Sequence, residues 1–534
     1  MSNLKESIKK NKKTIIILAI IVLLGIFLRT YKFHDWLRFS RDQVRDASLI
    51  SNALEGKDHL PLLGPNAGTT KFRLGPIYYY FSYASEKMFG NYPDKMAYPS
   101  VFFSILSIPL LFFFLKEFFN DKMSLSMTAI MSVSYFLVIN SRFSSNPNLI
   151  TFFGLLYLYA LLKLLNDPEG KHALIWSALV GISMGVSIQL HTTLLIVMPI
   201  VTLCTLAYIF FKKKSIGIWK SILTIILFFL VLNTSQIISE FDSHGQNTRY
   251  FFKGFGASSS KHLGKELFLI SACQIEANTH MITSLQSDEA CSTVFQPSKD
   301  NNKYLFFIGM SLSVLFSLVG YFLLGKRFKE EKDIKKKNFL GLVIFFNLIS
   351  FIILVPIANI IFVGYFINLF FIPLVLLGLM IEFIQNKYPK IGKDIGIVMI
   401  TMFLASSLVI NAKAADSYRK GLENNDKNST LSEVESISKY ILSTHPQQYS
   451  KQYLAGEAGL AERFFRPVNY FTKNSGVETN LLKAGDEKKV ETENVIYYLK
   501  KNDSNEIAPR QTIWGHEIIS GKKLSGLTIL ILKK

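Results

Sequence analysis

Four charged residues at helical spacing, Arg41, Asp42, Arg45 and Asp46, stand in Phe39-Ser40-Arg41-Asp42-Gln43-Val44-Arg45-Asp46, just after an apolar run long enough to cross a bilayer. Charged groups at a hydrocarbon boundary are costly to desolvate, so a cluster carrying both signs marks a site for a polar or ionic ligand. An ionised aspartate among cations suits a general base that takes a proton from an incoming hydroxyl. The cations suit a phosphate that gains charge as it leaves. Asp42 is the candidate base, and Arg41, Arg45, Lys71, Arg73 and Arg249 are candidates for holding the phosphate. The plainer alternatives are that Asp42 only caps a helix while the arginines meet lipid headgroups, and that Asp46 only pairs with Arg45 or Arg41.

The elements that must position these groups are legible nearby. Ser40-x-x-Gln43 fits a capping box that starts a helix at Arg41, which Gly56 can end. Asp42 then falls in the first turn, where free amide N–H groups and the positive end of the helix dipole favour an ionised carboxylate. Val44, Leu49, Ala53 and Leu54 form an apolar side, which predicts a helix lying on the membrane surface. Gly75-Pro76 marks a sharp turn, and Ile77-Tyr78-Tyr79-Tyr80-Phe81 opens a second interfacial helix to about Gly90. Tyr78 and Tyr79 either line a substrate cavity or anchor the interface. Arg142, Asn146, Asn148, Gln189, His191 and His244 fall on the same face by the span count below, and with Asp46 they complete the candidate cavity. A lone histidine such as His191 is also commonly a satisfied packing residue.

Of the 534 residues 49% are hydrophobic, 45 are Phe and only 18% are charged, which is too apolar for a soluble chain. Apolar runs long enough to span about 30 Å of hydrocarbon start near Thr14, Tyr98, Ser124, Leu149, Ala173, Thr192, Ile216, Tyr304, Phe339, Ile360 and Ile395, so about eleven transmembrane helices are expected. Basic residues fall in alternate loops: Lys5, Lys9, Lys10, Lys12 and Lys13, then Lys212-Lys213-Lys214, Lys326 to Lys337, and Lys387, Lys390 and Lys393. By the positive-inside rule these loops and the N-terminus are cytoplasmic. The net charge of +20 is then a topology signal, and no nucleic-acid partner is needed to explain it. The first span shows no small-x-small cleavage site and reads as an uncleaved anchor.

This predicts a mainly α, polytopic membrane protein with outer interfacial helices. Residues 1–411 form the transmembrane domain with outer loops 31–97 and 237–302, and residues 412–534 form a small extracytoplasmic α+β domain. In that tail Ser432 to Leu442 reads as helix, and Val495 to Leu499 and Leu527 to Leu532 as strands. Cys204 lies in a span as a packing residue; Cys273 and Cys291 share the second outer loop and either pair in an oxidising exterior or stay as thiols. Gly320-x4-Gly325-Lys326 is rejected as a phosphate loop because Arg327 stands where Ser or Thr is required, and no G-x-G-x-x-G occurs. No metal-ligand spacing is visible, so neither metal nor cofactor is expected.

Taken together, Asp42-Gln43-Val44-Arg45-Asp46-Ala47, Gly75-Pro76-Ile77-Tyr78-Tyr79-Tyr80, Ser141 to Asn148, Gln189-Leu190-His191 and Glu240-Phe241-Asp242 to Asn247-Thr248-Arg249 resemble the C-type glycosyltransferases. The similarity is to the bacterial family 39 enzymes related to protein O-mannosyltransferases and the aminoarabinose–lipid A transferase, and it covers roughly the first half of the chain. It implies a polyprenyl-phosphate-linked sugar donor, transfer outside the cytoplasm with inversion, a cavity open to the membrane, and Asp42 at the family's catalytic Asp. Three positions depart from the pattern: Gln43 where relatives often have Glu, Leu74 before Gly75-Pro76 where a Lys is found in the aminoarabinose transferase, and Asn146 and Asn148 where an acidic residue is common.

The expectation is a membrane glycosyltransferase acting on an acceptor hydroxyl of a protein, a lipid or a wall glycan. The alternative is a transporter or flippase of lipid-linked saccharides, which would bind the same phosphate without chemistry. Transporters often show internal repeats and broken, charged helices at mid-membrane, and the sequence shows no sign of either.

Overall fold

The computed structural model describes residues 11–68, 70–213, 217–257, 263–285, 291, 303–420, 429–445, 451–457, 459–483, 485, 495–501, 512–524 and 526–533. Lys5, Lys9, Lys10 and Lys214 of the basic runs lie outside these residues. From the N-terminus, α1 (Lys12–Thr30) leads to α2 (Arg41–Leu54) and α3 (Ile77–Phe89). There follow α4 (Tyr98–Lys116), α5 (Asp121–Val133), α6 (Tyr135–Ser141), α7 (Ile150–Asn166), α8 (Ala173–Leu190) and α9 (Thr192–Lys213). Then come α10 (Ile218–Leu232), α11 (Thr234–Asp242), α12 (Gln246–Ala257) and α13 (Leu263–Thr283). The bundle closes with α14 (Lys303–Glu330), α15 (Ile334–Leu354), α16 (Ile372–Lys387) and α17 (Gly392–Lys420).

Among the described residues eight helices are long and apolar enough to cross a membrane, and three bent pairs, if each is one span, bring the number to eleven. The number agrees with the hydropathy count, but straight spans do not: α5 and α6 meet at 55°, α10 and α11 at 64°, and the short segment Val363–Leu369 and α16 at 65°. Hydropathy reports composition and is blind to backbone direction, and no proline announces the first two breaks. The groups freed there are satisfied internally, as hydrocarbon requires. Ser134 Oγ donates to Met281 O at 2.6 Å, Tyr135 N–H donates to Ser284 Oγ at 2.9 Å, and Asn233 Nδ2 donates to Phe229 O at 2.8 Å.

The expected outer loop 237–302 is instead helical wherever it is described, apart from short turns, and α13 is packed inside the bundle. Two of its polar side chains, Gln274 and Asn278, pair with polar residues of neighbouring spans. Gln274 Nε2 donates to Tyr321 Oη at 2.7 Å and to Asn347 Oδ1 at 2.6 Å, and Asn278 Nδ2 donates to Ser317 Oγ at 3.3 Å. Those polar residues are why a hydropathy criterion passes over α13. Cys273 on α13 is disulfide-bonded to Cys291, whereas Cys204 faces outward from α9 and does not pack inside.

Alternate loops do gather at two ends. At one end Thr14 Oγ1 donates to Asp121 Oδ2 at 3.2 Å, Lys163 pairs with Glu117 at 2.7 Å, and Asn338 Nδ2 donates to Asn166 Oδ1 at 2.8 Å. At the other end of α1 lie α2, α3 and the C-terminal domain. α17 runs on to Lys420, so the boundary expected at 411 falls inside a helix.

The C-terminal domain is a six-stranded sheet of order β2-β1-β3-β6-β5-β4. Its strands are β1 (Lys451–Gly456), β2 (Glu478–Leu481), β3 (Ile496–Lys501), β4 (Thr512–Ile513), β5 (His516–Leu524) and β6 (Leu527–Lys533). β1 pairs parallel with β2 and β3, and the remaining pairs are antiparallel. α18 (Leu431–Thr444) and α19 (Leu460–Asn474) put Leu431, Val434, Ile437, Ile441, Phe464 and Val468 against Tyr497, Leu499 and Ile529 of the sheet. That same core contains Leu37, Phe39, Ala47 and Ile50, with Val44, Leu49 and Leu54 at its border. The apolar side of α2, expected to rest on lipid, is therefore covered by the C-terminal domain. Full burial of Phe39 and Ile50 stabilises this docking by roughly 1.5–3 kcal/mol each.

A polar clamp joins the two parts beside that core. His34 Nδ1 lies 3.2 Å from Asp94 Oδ2 and its Nε2 lies 3.2 Å from Glu435 Oε2 of α18; Tyr92 Oη donates to Glu435 at 2.5 Å. Burial works against the charge on His34, but Asp94 and Glu435 outweigh it and raise its pKa. Burial, with Asp94's charge added, pushes the neighbouring Glu86 up to about 8. Both shifts have one sign. The stabilisation is complete below pH 6.5 for the imidazole and is lost as pH rises through the raised folded values. Amide exchange in α18, corrected for intrinsic rates, is expected to accelerate from mildly acidic to mildly alkaline pH, and His34→Gln to flatten part of that slope. A pH-independent exchange rate in the wild type would show that the clamp carries no such load.

Candidate active site

α2 starts where its cap requires. Ser40 N–H donates to Gln43 Oε1 at 3.3 Å and Ser40 Oγ donates to the same oxygen at 2.7 Å. Gln43 passes an amide N–H to Ser144 O at 2.9 Å, which fixes the start of α2 to the loop after α6. From above, Phe39 N–H donates to Ser429 O at 2.9 Å, and Ser429 Oγ donates to Phe39 O at 2.6 Å. The chain before Asp42 is thus held by both the bundle and the C-terminal domain.

On this mount the two carboxylates have opposite environments. Asp42 is 71% exposed and its one ionic partner among the described residues is Arg45, Nη1 at 3.4 Å. Asp46 is only 4% exposed, 2.8 Å from Arg45 Nη2, and accepts the hydroxyl of Tyr79 at 3.0 Å. Burial pushes the Asp46 carboxyl above its usual range, with Arg45 and Tyr79 opposing the shift. Burial also works against the charge on Arg45, but Asp46 outweighs it and holds the guanidinium charged. Burial and the nearby carboxylate push the Tyr79 hydroxyl up, so it stays a donor, and burial pushes Tyr78 up to about 12. Tyr78 Oη is hydrogen-bonded to Ser144 Oγ. Asp46, Tyr79 and the Gln43–Ser144 link therefore form a rigid support, and Arg45 carries positive charge from that support to the exposed Asp42.

Arg41 and Arg249 are exposed, and Lys71 lies over the Tyr250 ring with Nζ 6.0 Å from its centroid. Arg73 has a different task. Its Nε donates to Gly64 O at 2.8 Å and its Nη2 to Leu63 O at 3.0 Å, while its backbone exchanges two bonds with Asn247 at 2.8 and 3.0 Å. It staples the loop between α2 and α3 to α12, which accounts for Asn247 in the polar run.

Four residues expected in the cavity turn out to hold the frame. Arg142 donates to Leu28 O at 3.0 Å, Tyr31 O at 2.8 Å and Lys32 O at 3.2 Å, capping the exit of α1. Asn148 Nδ2 donates to Phe143 O at 2.6 Å and closes its own loop. His191 has Nδ1 2.7 Å from Thr193 Oγ1 and stands edge-on to Tyr365 with centroids 5.0 Å apart, the packing role left open above. Gln189 accepts Ile77 N–H at 3.2 Å and donates to Leu232 O at 2.8 Å, so it caps α3 from α8. Asn146 is buried and its Nδ2 has no partner among the described residues; His244 is exposed in the turn between α11 and α12, in the left-handed region at φ +54.

Gln189 also explains Gly75. A Cβ at Gly75 would lie 2.5 Å from Gln189 Oε1 and 2.6 Å from its Cβ. Gly75→Ala is expected to displace this cap and cost about 1–3 kcal/mol in thermal unfolding of the purified protein. An unchanged midpoint would mean that the α8–α3 contact can give way freely.

Two residues escaped the sequence reading. Ser144 lay within the polar loop but nothing singled it out, since its partners Gln43 and Tyr78 are remote in sequence. Arg29, fully buried at the end of α1, donates to Ser104 Oγ at 2.9 Å and Ser132 O at 2.8 Å and pins α1 to α4 and α5. Its position inside a span was the available signal. Among the described residues no three His, Cys, Asp or Glu side chains are grouped to hold a metal.

A multi-pass helical bundle that carries surface helices and a small α+β domain at one end is the fold this chain shares with ArnT. The family model for dolichyl-phosphate-mannose-protein mannosyltransferases matches residues 16–240. No curated protein matches the chain in sequence. In structure the chain is similar to ArnT from Cupriavidus metallidurans bound to undecaprenyl phosphate, at 9% identity over 98% of each chain with a TM-score of 0.51. It is similar to the archaeal oligosaccharyltransferase AglB from Archaeoglobus fulgidus in complex with an inhibitory peptide and a dolichol-phosphate, at 12% identity over 92% of this chain and 70% of that one, TM-score 0.50. The Archaeoglobus fulgidus oligosaccharyltransferase in complex with Zn and sulfate gives 14% identity over 87% of this chain and a TM-score of 0.50; the chain spans 62% of that protein's length. The resemblance read from the sequence is thus met twice, by the family model over the first part and by the fold over the whole.

Proposed function

We propose that the protein is a membrane glycosyltransferase that moves a sugar from a polyprenyl-phosphate donor to an acceptor hydroxyl on the extracytoplasmic side, with inversion. The observation that carries this reading is the contrast on α2: Asp42 is 71% exposed beside Arg45, while Asp46, 4% exposed, is committed to holding that arginine. Asp42 removes the proton of the acceptor hydroxyl as its oxygen attacks the anomeric carbon, and the bond to phosphate breaks on the opposite side. Arg45, with Arg41, Lys71 and Arg249, balances the charge left on the polyprenyl phosphate. The bound undecaprenyl phosphate of ArnT and dolichol-phosphate of AglB support this donor class. The N-terminus is cytoplasmic and the C-terminal domain extracytoplasmic, as the basic loops at the far end of the bundle suggest.

Mass spectrometry of cell-surface glycoconjugates with and without the protein tests this reading. One sugar addition is expected to disappear when the protein is removed and to return with the wild type but not with Asp42→Asn. Identical glycan profiles in all strains would count against the proposal.

A further inference from the structure

Where α1 and α17 end and α18 begins, the bundle and the C-terminal domain border a partly open cleft of about 300 Å³. Tyr31, Trp36 and Tyr418 line its membrane side, and Thr430, Glu433 and Ile437 its domain side. Asp42 and the cations of the transfer site are not among its lining residues. Trp36 lies flat on Tyr418 with centroids 5.4 Å apart and planes at 14°, and Tyr31 meets it edge-on at 5.4 Å. The polar tips of these three rings make no hydrogen bond within the described residues. Buried aromatic tips ordinarily find a partner, and an exposed one such as Tyr31, at 48%, is met by water that a ligand hydroxyl can replace.

The charges on the wall narrow the ligand class. Lys32 is paired with Asp35 at 3.1 Å and Arg419 with Asp416 at 3.1 Å, while Glu433 gives one oxygen to Thr430 N–H at 2.9 Å. Cations of the wall already paired, next to a further carboxylate, disfavour a phosphate, and Arg142 behind Trp36 is not in the wall and spends its donors on main-chain carbonyls. Unsatisfied N–H and O–H groups disfavour an acyl chain. A neutral saccharide unit offers hydroxyls that donate and accept, together with an apolar C–H face for the rings, and the volume admits about one or two sugar rings.

We infer that this cleft is a binding subsite for an uncharged saccharide unit, carried by a glycan or by a glycolipid. Thr430 in its wall bridges the backbone of Arg38, two residues before the cap of the helix that carries Asp42. On the function proposed above, the bound unit belongs to the acceptor and sits next to the transfer site.

The test uses the full chain in lipid nanodiscs and saturation-transfer NMR with cellobiose, maltose and chitobiose, each free in solution and each linked to a lipid anchor in the disc. At least one is expected to bind with a Kd on the order of 1 mM or tighter, and Trp36→Ala and Tyr418→Phe each to weaken it about tenfold. Glu433→Gln keeps the capping box, and Asp42→Asn is expected to bind as the wild type does. Binding of free sugar identifies a glycan, and binding of the anchored form alone a glycolipid; both support the inference. If no sugar binds, or if folded Trp36→Ala and Tyr418→Phe bind unchanged, the inference is overturned. Sugar binding without any transfer from polyprenyl-phosphate sugars would instead remove the transfer reading and leave the subsite standing.

Discussion

Asp42→Asn is expected to slow sugar transfer by about 10²–10⁴-fold, the range for losing a positioned general base, while the protein folds and melts as the wild type does. Activity and stability separate here because of the carboxylate's surroundings. Its side chain is 71% exposed and, among the described residues, its ionic contact is a single Arg45 nitrogen at 3.4 Å, a pair worth about 0–1 kcal/mol at a surface. Asparagine keeps the shape and the first-turn position, and removes only the capacity to accept a proton at neutral pH. Arg45 is not released, because Asp46 still holds it at 2.8 Å. Turnover of the reconstituted variant, with its melting curve as control, checks both halves. A variant that loses activity because it no longer folds would show that the environment of Asp42 has been misread.

Arg142→Ala carries the largest expected effect on stability. The Arg142 guanidinium serves three main-chain carbonyls at the exit of α1 and lies over the rings of Phe33 and Trp36 at 5.8 and 5.7 Å. Burial lowers its pKa only to about 10, so it remains charged at neutral pH. Lys32 O keeps a donor in Trp36 N–H at 3.1 Å, but alanine would take the Arg142 donor from Leu28 O and Tyr31 O, at about 1–3 kcal/mol for each one that water does not reach, so a loss of roughly 3 kcal/mol is expected. Arg142→Lys is expected to recover little, since one ammonium cannot span three acceptors in a fixed fork. Thermal unfolding in detergent measures this. A change within about 0.5 kcal/mol would mean that the α1 exit is held by something else.

What could be foreseen in the sequence follows the range of the forces involved. The start of α2 was legible because its cap is local: Ser40 and Gln43 are three residues apart. The number of spans was legible because it depends on composition. The first two of their breaks were not, because the groups that satisfy Ser134, Tyr135 and Asn233 come from other helices or from the helix's own freed carbonyls. In the C-terminal domain β3 and β6 are buried on both faces and read as apolar runs, whereas β5 is largely exposed and has no such pattern. Leu460, Phe464 and Val468 of α19 keep an i, i+4 spacing, but Pro467 among them masks the helix. The site divides in the same way. Asp42, Arg45 and Asp46 share one turn and were found together, while the structural duties of Arg142, Gln189 and Arg73 depend on carbonyls that folding brings to them.

The most direct test of the central claim is a mass balance on the donor. Purified, reconstituted protein is incubated with undecaprenyl-phosphate-linked sugars and a hydroxyl acceptor, and both lipid and acceptor are followed by mass spectrometry. The wild type should release undecaprenyl phosphate and glycosylated acceptor in equal amounts, and Asp42→Asn should leave the donor intact. Intact donor with the wild type across the sugar panel, or equal release by Asp42→Asn, would contradict the account.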